Sequence, residues 1–235
     1  MELSKRMQAI ADMVSPNLRV CDVGCDHAYI PIYLLQQGIA PSALACDVKK
    51  GPLQIAEGNI RQHGLLGQIN VRLSDGLSEV ASSEADCVII AGMGGKLEIQ
   101  ILTQSLDKVK TMQELILQPQ SEHEFVRAFL RANNLQILQE NMVEEDGKYY
   151  QIMRVAYSDA AQNQTLPVSQ ETVDLFGPCL LMDKNPVLVR FLHYKKKIAL
   201  QILEQMERED AADADRKRME ENLDRINEAL SYVES

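Results

Sequence analysis

At 235 residues, 46% of them hydrophobic and 25% charged, the chain can bury a full core and lies outside the composition of disordered or collagen-like proteins. Its formal net charge of −10 argues against a protein that holds nucleic acid by bulk electrostatics, because phosphate binding depends on Lys and Arg releasing counterions. No stretch approaches the roughly 20 uninterrupted apolar residues of a membrane-spanning helix, and the start MELSKRMQAIADMV has no apolar signal core, so a cytoplasmic chain with no membrane partner is expected.

Leu3, Met7, Ile10, Ala11 and Val14 recur at helical spacing and predict an amphipathic helix that ends before Pro16. Strand and helix patterns then alternate. RVCDVG (19–24) is a short β-rich run, YIPIYLLQQG (29–38) a helix, SALACDV (42–48) a strand, and 52–63 a helix. INVRLSD (69–75) and DCVIIAG (86–92) follow as strands, then a helix over 97–106, the strand ELILQP (114–119) and a helix over 122–132. In 135–158 two strand-like runs flank Asp146-Gly147, a pair suited to a hairpin turn.

Continuous apolar strands that alternate with helices imply a parallel sheet covered on both faces. The final hairpin adds an antiparallel strand. The expected fold is therefore α/β, doubly wound and Rossmann-like with an antiparallel last strand, over residues 1–158; such a last strand is similar to the ending of class I methyltransferase sheets. Residues 159–235 read as a polar linker followed by two helices. The first opens at Pro186, the second carries Met219, Leu223, Ile226, Leu230 and Val233 as a heptad seam, and the acidic run 209–215 joins them into a helical coiled-coil hairpin.

The five cysteines are an odd number without a CxxC and fall mostly in apolar runs, so they read as buried reduced thiols. The four histidines are scattered without ligand spacing, and no metal is expected.

In a doubly wound domain the first strand-to-helix turn decides what is bound. Here it is CDVGCDHAY, with Gly24 alone in place of the three glycines of a dinucleotide site, and with Asp26 where a carboxylate would repel phosphate. S-adenosylmethionine carries an ammonium and a sulfonium that Asp22 or Asp26 would attract. The second strand ends in Asp47-Val48, where a carboxylate can accept ribose hydroxyls, and the third in Asp75-Gly76, within reach of an adenine amine. One strand-end Asp is an ordinary cap or turn residue. Acids at three successive strand ends point to adenosyl binding.

After the fourth strand AGMGG, from Ala91 through Gly92, Met93 and Gly94 to Gly95, permits close backbone approach and leaves room for a flat ring. It has no side chains to accept amine hydrogens, which suits methylation of a ring nitrogen better than of an exocyclic amine. His27 and Tyr29 are expected at the pocket mouth, although His27 has an equally good structural reading and Tyr29 a core one.

At these residues the chain resembles the bacterial tRNA adenine-22 N1-methyltransferases. The matching blocks are LSKRMQAIADMV (3–14), DVGCDHAYIP (22–31), DVKKGP (47–52), SDGL (74–77), AGMGG (91–95), LILQP (115–119) and LFGPCLL (175–181). The resemblance departs at Asp47, where Glu is expected to be common, and at Gln120, where Asn is more typical.

The resemblance implies a methyltransferase domain and helical hairpin that grip a tRNA and methylate N1 of adenine 22, with S-adenosylmethionine as cofactor and S-adenosylhomocysteine as product. N1 is a nucleophile in neutral adenine, so catalysis would be mostly positioning. Asp26, His27 and Tyr29, with the backbone of Gly92 to Gly95, are the candidates for holding the base. A basic patch is sought in Lys5, Arg6, Lys49, Lys50, Arg61, Lys96, Arg190 and Lys195 to Lys197. A monomer is favoured. A small-molecule or protein methyltransferase and a noncatalytic adenosyl-binding protein are the alternatives.

Overall fold

The computed structural model describes residues 1–160, 165–209 and 212–235. Parts of the expected linker and of the acidic connection at 209–215 lie outside the described residues. The chain divides into two compact units, Met1–Gln162 and Asn163–Ser235.

The first unit is built on a seven-stranded sheet of order β3-β2-β1-β4-β5-β7-β6, with β1 (Val20–Val23), β2 (Ala43–Asp47), β3 (Ile69–Leu73), β4 (Cys87–Met93), β5 (Glu114–Pro119), β6 (Leu135–Glu145) and β7 (Lys148–Tyr157). The first five strands run parallel, while β7 pairs antiparallel with both β5 and β6. The β6–β7 turn is Asp146-Gly147, with φ of 51° and 72° at its two residues. Both lie in the left-handed region that a tight hairpin turn demands.

Alternate strand residues feed two apolar layers. Val20, Ala45 and Ile89 pack under α1 (Lys5–Ala11), α2 (Tyr29–Gln36) and α3 (Lys50–Gln62). Cys21, Cys46 and Ile90 pack on the opposite face with α4 (Gly95–Gln104), the four-residue α5 (Leu106–Val109) and α6 (His123–Ala132). All five cysteines are buried free thiols.

Helix α1 is fastened to the far end of the sheet. The Ser4 hydroxyl caps it by accepting the Met7 N–H, and the Glu145 carboxylate of β6 accepts the N–H groups of Lys5 and Arg6. A carboxylate on these otherwise unpaired first-turn donors also meets the positive end of the helix dipole. Beneath α6, Arg127 donates to Glu140 of β6 at 2.8 Å and to Gln151 of β7 at 2.6 Å, with the Arg127 and Glu140 side chains 1% and 0% exposed.

The second unit holds α7 (Gln170–Phe176), α8 (Pro178–Met182), α9 (Pro186–Arg208) and α10 (Asp213–Val233). Arg216 pairs with Glu207 and His193 with Glu234, so α9 and α10 run antiparallel. Of the expected seam, Ile226, Leu230 and Val233 are buried, whereas Met219 and Leu223 are only half-buried. The burial follows the neighbours: α10 also packs against α7 and α8, and their contacts add to those of α9.

Candidate active site

The parallel strand order reverses between β1 and β4, and the crevice outside the carboxyl ends of such strands is where ligands bind. A cavity of about 450 Å³ opens at this point, lined by Arg6 and Met7 of α1, by Asp22, Gly24, Cys25, Asp26, Tyr29 and Ile30, by Asp47, Val48, Lys49 and Pro52, and by Ala91, Gly92, Met93 and Gln120.

The loop after β1 is held by the neighbouring strand. Gly24 and Cys25 both donate their N–H to the Cys46 carbonyl, at 2.8 and 3.0 Å, and the Asn59 amide of α3 donates to the His27 carbonyl. Within this loop Gly24, Asp26 and Ala28 all have positive φ, at 73°, 47° and 58°. Glycine meets that demand without strain, whereas Asp26 and Ala28 are held there by their surroundings. An ideal Cβ on Gly24 would come within 2.3 Å of the Met93 methyl, so this glycine keeps the cavity floor open.

On the other side of the switch point, β4 shifts register between Ala91 and Met93, with Gly92 at φ 79°. This bulge turns backbone toward the cavity, as bulges beside binding sites commonly do. Gln120 ties the end of β5 to it by donating its N–H to the Met93 carbonyl at 2.7 Å.

Electrostatically the cavity is acidic on its β1–β2 side. Asp22 is buried, and burial together with the nearby Asp26 and Asp47 carboxylates pushes its pKa up to about 7. Burial and two like charges disfavour the ionised carboxylate, and a cationic ligand would relieve it. Asp47 is fixed as a turn, its Oδ1 accepting the Lys49 N–H at 2.8 Å. The lining thus offers carboxylates for an ammonium, a sulfonium and ribose hydroxyls, with glycine backbone at the points of closest approach, and so fits S-adenosylmethionine.

Most of the site residues expected from sequence converge here, but five do not line the cavity, among them Gly95, where a Cβ would meet the Ser121 carbonyl at 2.5 Å. His27 is not part of the lining but touches two residues that are: its Nε2 lies 3.3 Å from Asp26 Oδ1 and its ring stacks on Tyr29 at 5.2 Å between centroids. Gly94 is the N-cap of α4 and has an ordinary φ of −67°. Asp75 is exposed, its carbonyl accepting the Ser78 N–H in a turn. Gly76 has φ 56°, and a Cβ there would meet Ile101 at 2.9 Å, so its place in the fold is explained by packing against α4. Met7, Cys25, Ile30, Pro52 and Gln120 also line the cavity without any sequence pattern that marks them for it, and Arg6 and Lys49 read from sequence only as surface cations. Helix α1 reaches the site through contacts more than a hundred residues apart in the chain.

The family described as a methyltransferase domain matches residues 3–153. With that match over more than half its length, and a carboxylate-lined cavity at the switch point, the chain belongs to the methyltransferases of Rossmann-like fold.

A curated protein of Bacillus subtilis (strain 168), tRNA (adenine(22)-N(1))-methyltransferase, is 32% identical over 228 residues, covering 96% of this chain and 94% of that protein. A Streptococcus pneumoniae structure with S-adenosyl-L-methionine bound is 34% identical with a TM-score of 0.84, over 97% of this chain and 100% of that one. The M. capricolum TrmK structure in complex with S-adenosyl-homocysteine is 26% identical with a TM-score of 0.83, over 99% and 100% of the two chains. Within the methyltransferases, the chain is a member of the tRNA (adenine(22)-N(1))-methyltransferase family.

Proposed function

We propose that the chain transfers a methyl group from S-adenosylmethionine to N1 of the adenine at position 22 of tRNA. The observation that carries this reading is the cluster of Asp22, Asp26 and Asp47 around a glycine-floored cavity at the switch point of the sheet. The family relationship supplies the target position, and the cofactor and product complexes of the related proteins support the same cofactor here.

Asp47 would hold the ribose hydroxyls, and Asp22 and Asp26 the positive groups of the methionine moiety. Gly24 and Ala91-Gly92 allow the backbone to lie against the cofactor. Val48, exposed beside Asp47, offers an apolar surface to the adenine ring, with Asp75 and Gly76 beyond it at the end of β3. When bound, S-adenosylmethionine supplies an electrophilic methyl group on a positively charged sulfur.

N1 of neutral adenine has an available lone pair and needs no strong base, so the work of this chain is to orient the base and exclude water. Because pairing or stacking covers that edge in folded RNA, the nucleotide has to be turned out at a cost of about a few kcal/mol. Tyr29, Asp26 and the backbone of Gly92 and Met93 are assigned to holding it, with Gly94 next to them at the start of α4 and His27 in contact with both Asp26 and Tyr29.

Residues 1–158 would form the catalytic domain, and 159–235 a linker and helical hairpin for tRNA contact. Lys49 lines the cavity and Lys5 and Lys50 are exposed, giving a local basic approach on an acidic protein. Lys96 is ion-paired with Glu122, and the Arg190 and Lys195–Lys197 cluster lies on α9. The enzyme would act as a cytoplasmic monomer; among the described residues no helix is long and apolar enough to cross a membrane.

Primer extension across an unmodified tRNA transcript tests this reading, because a methyl group on N1 blocks pairing. A stop at position 22 is expected only when both enzyme and S-adenosylmethionine are present. Replacing Asp26 by Ala, with Asp26→Asn as the variant that tolerates positive φ, is expected to weaken the stop. Full activity and cofactor affinity in both variants would remove Asp26 from the site.

A further inference from the structure

Gln120 brings an unengaged amide to the cavity from the side opposite the carboxylates. It follows directly on β5, whose last residue Pro119 is buried and pairs with Met93 of β4. Its N–H donates to the Met93 carbonyl at 2.7 Å, and the next carbonyl, of Ser121, packs so close to α4 that a Cβ on Gly95 would meet it at 2.5 Å. The backbone around Gln120 is thus pinned to the bulge of β4, while the residue itself is exposed at the cavity wall. Its Nε2 lies 3.9 Å from the point where a Cβ of Gly92 would stand, and among the described residues the amide has no hydrogen-bonding partner.

The order of strands divides the cavity. Asp47 ends β2 and Asp22 lies on β1, so the carboxylates for the cofactor stand on one side, and β4 with the end of β5 forms the other. The lining on that other side is Ala91, Gly92, Met93 and Gln120. Of these four side chains, that of Gln120 alone carries both a strong donor and a strong acceptor, held in one plane.

That pair of groups complements one edge of adenine. There N7 accepts and the N6 amine donates, and a glutamine amide meets both at once, whereas guanine presents two acceptors. N1 lies on the other side of the N6 amine. An adenine held by N6 and N7 therefore keeps its N1 lone pair uncovered, while a contact on the pairing edge would cover the atom to be methylated.

We propose that Gln120 selects adenine, accepting a hydrogen bond from N6 through Oε1 and donating one to N7 through Nε2, so that N1 is left for the methyl group. This rests on the tRNA adenine reading given above.

The test is methyl transfer to tRNA carrying either adenine or 7-deazaadenine at position 22, a change that removes the N7 acceptor and keeps N1 and N6. The ratio of kcat/KM for the two bases is compared between proteins, which cancels their difference in intrinsic reactivity. From wild type to Gln120→Leu the preference for adenine is expected to fall by roughly threefold to tenfold, the range of one neutral hydrogen bond. kcat/KM for adenine itself should drop by about tenfold to a hundredfold, because both bonds are lost. Gln120→Glu, which keeps the shape and the acceptor but not the donor, should show the same fall in preference, and Gln120→Asn should keep part of it. Affinity for S-adenosylmethionine without tRNA should be the same in all four proteins.

An unchanged preference in Gln120→Leu would overturn the proposal, and the same result in Gln120→Glu would do so if Gln120→Leu did not fold. So would a loss of cofactor affinity as large as the loss of transfer, which would assign the amide to the cofactor. Cofactor binding by the wild type without methylation of adenine-bearing tRNA would instead overturn the tRNA reading and the proposal with it.

Discussion

Gly24 and Met93 face each other across the switch point so closely that a Cβ on Gly24 would come within 2.3 Å of the Met93 methyl. Gly24 also has φ 73°, a conformation that costs an L side chain roughly 1–2 kcal/mol. Gly24→Ala is therefore expected to lower stability by about 1 kcal/mol in urea unfolding and to weaken cofactor binding more than tenfold by pushing Met93 into the cavity. In Gly24→Ala/Met93→Ala the binding should partly recover while the stability loss remains. Recovery of neither would show that the crowding is not what limits binding.

Asp22 gives a pH signature. Its pKa is raised from 3.8 to about 7 by burial and by the charges of Asp26 and Asp47, so the native state holds this proton more tightly than the unfolded chain. Stability from this group is then greatest below pH 4 and is lost as pH rises through about 7. Asp22→Asn, without cofactor, should unfold at a higher temperature than wild type at pH 8, by the equivalent of about 2–4 kcal/mol, with the gap closing toward pH 4. Wild-type affinity for S-adenosylmethionine should rise from pH 6 to 8 with release of a proton, seen by calorimetry in buffers of different ionisation enthalpy. A pH-independent stability gap would contradict the assignment.

Beneath α6, Arg127 and Glu140 are paired out of contact with water. Breaking such a pair from one side leaves a buried charge without its partner, at a cost of about 3–5 kcal/mol. Arg127→Met is expected to lose that much in urea unfolding, and Arg127→Met/Glu140→Leu much less. Additive losses in the double variant would mean that the two side chains act independently.

The parts of the site set by local chemistry were readable in the sequence. Asp146-Gly147 gave the hairpin because both of its residues need positive φ, and Asp47 could be placed because it closes the apolar strand that follows the first strand-to-helix turn, where a carboxylate can reach ribose hydroxyls. Asp75-Gly76 is also read as a strand end, but it lies outside the cavity lining. β3 is the edge strand and ends at Leu73, and Gly76 is set by its approach to Ile101, a contact that no local pattern encodes. Arg6 was visible only as a charge, since Gln118, Tyr150 and Glu145, the residues that aim it or its helix, lie 112 or more positions along the chain. The short helix α5 has four residues, too few to show a hydrophobic period.

The most direct test of the central claim is transfer of a labelled methyl group from S-adenosylmethionine to unmodified tRNA, followed by nuclease digestion and mass mapping of the product. The account predicts 1-methyladenosine at position 22, and no label when adenine 22 is replaced by another base. Label that persists at a different position after that replacement, or a cofactor-binding protein that labels no tRNA, would contradict it.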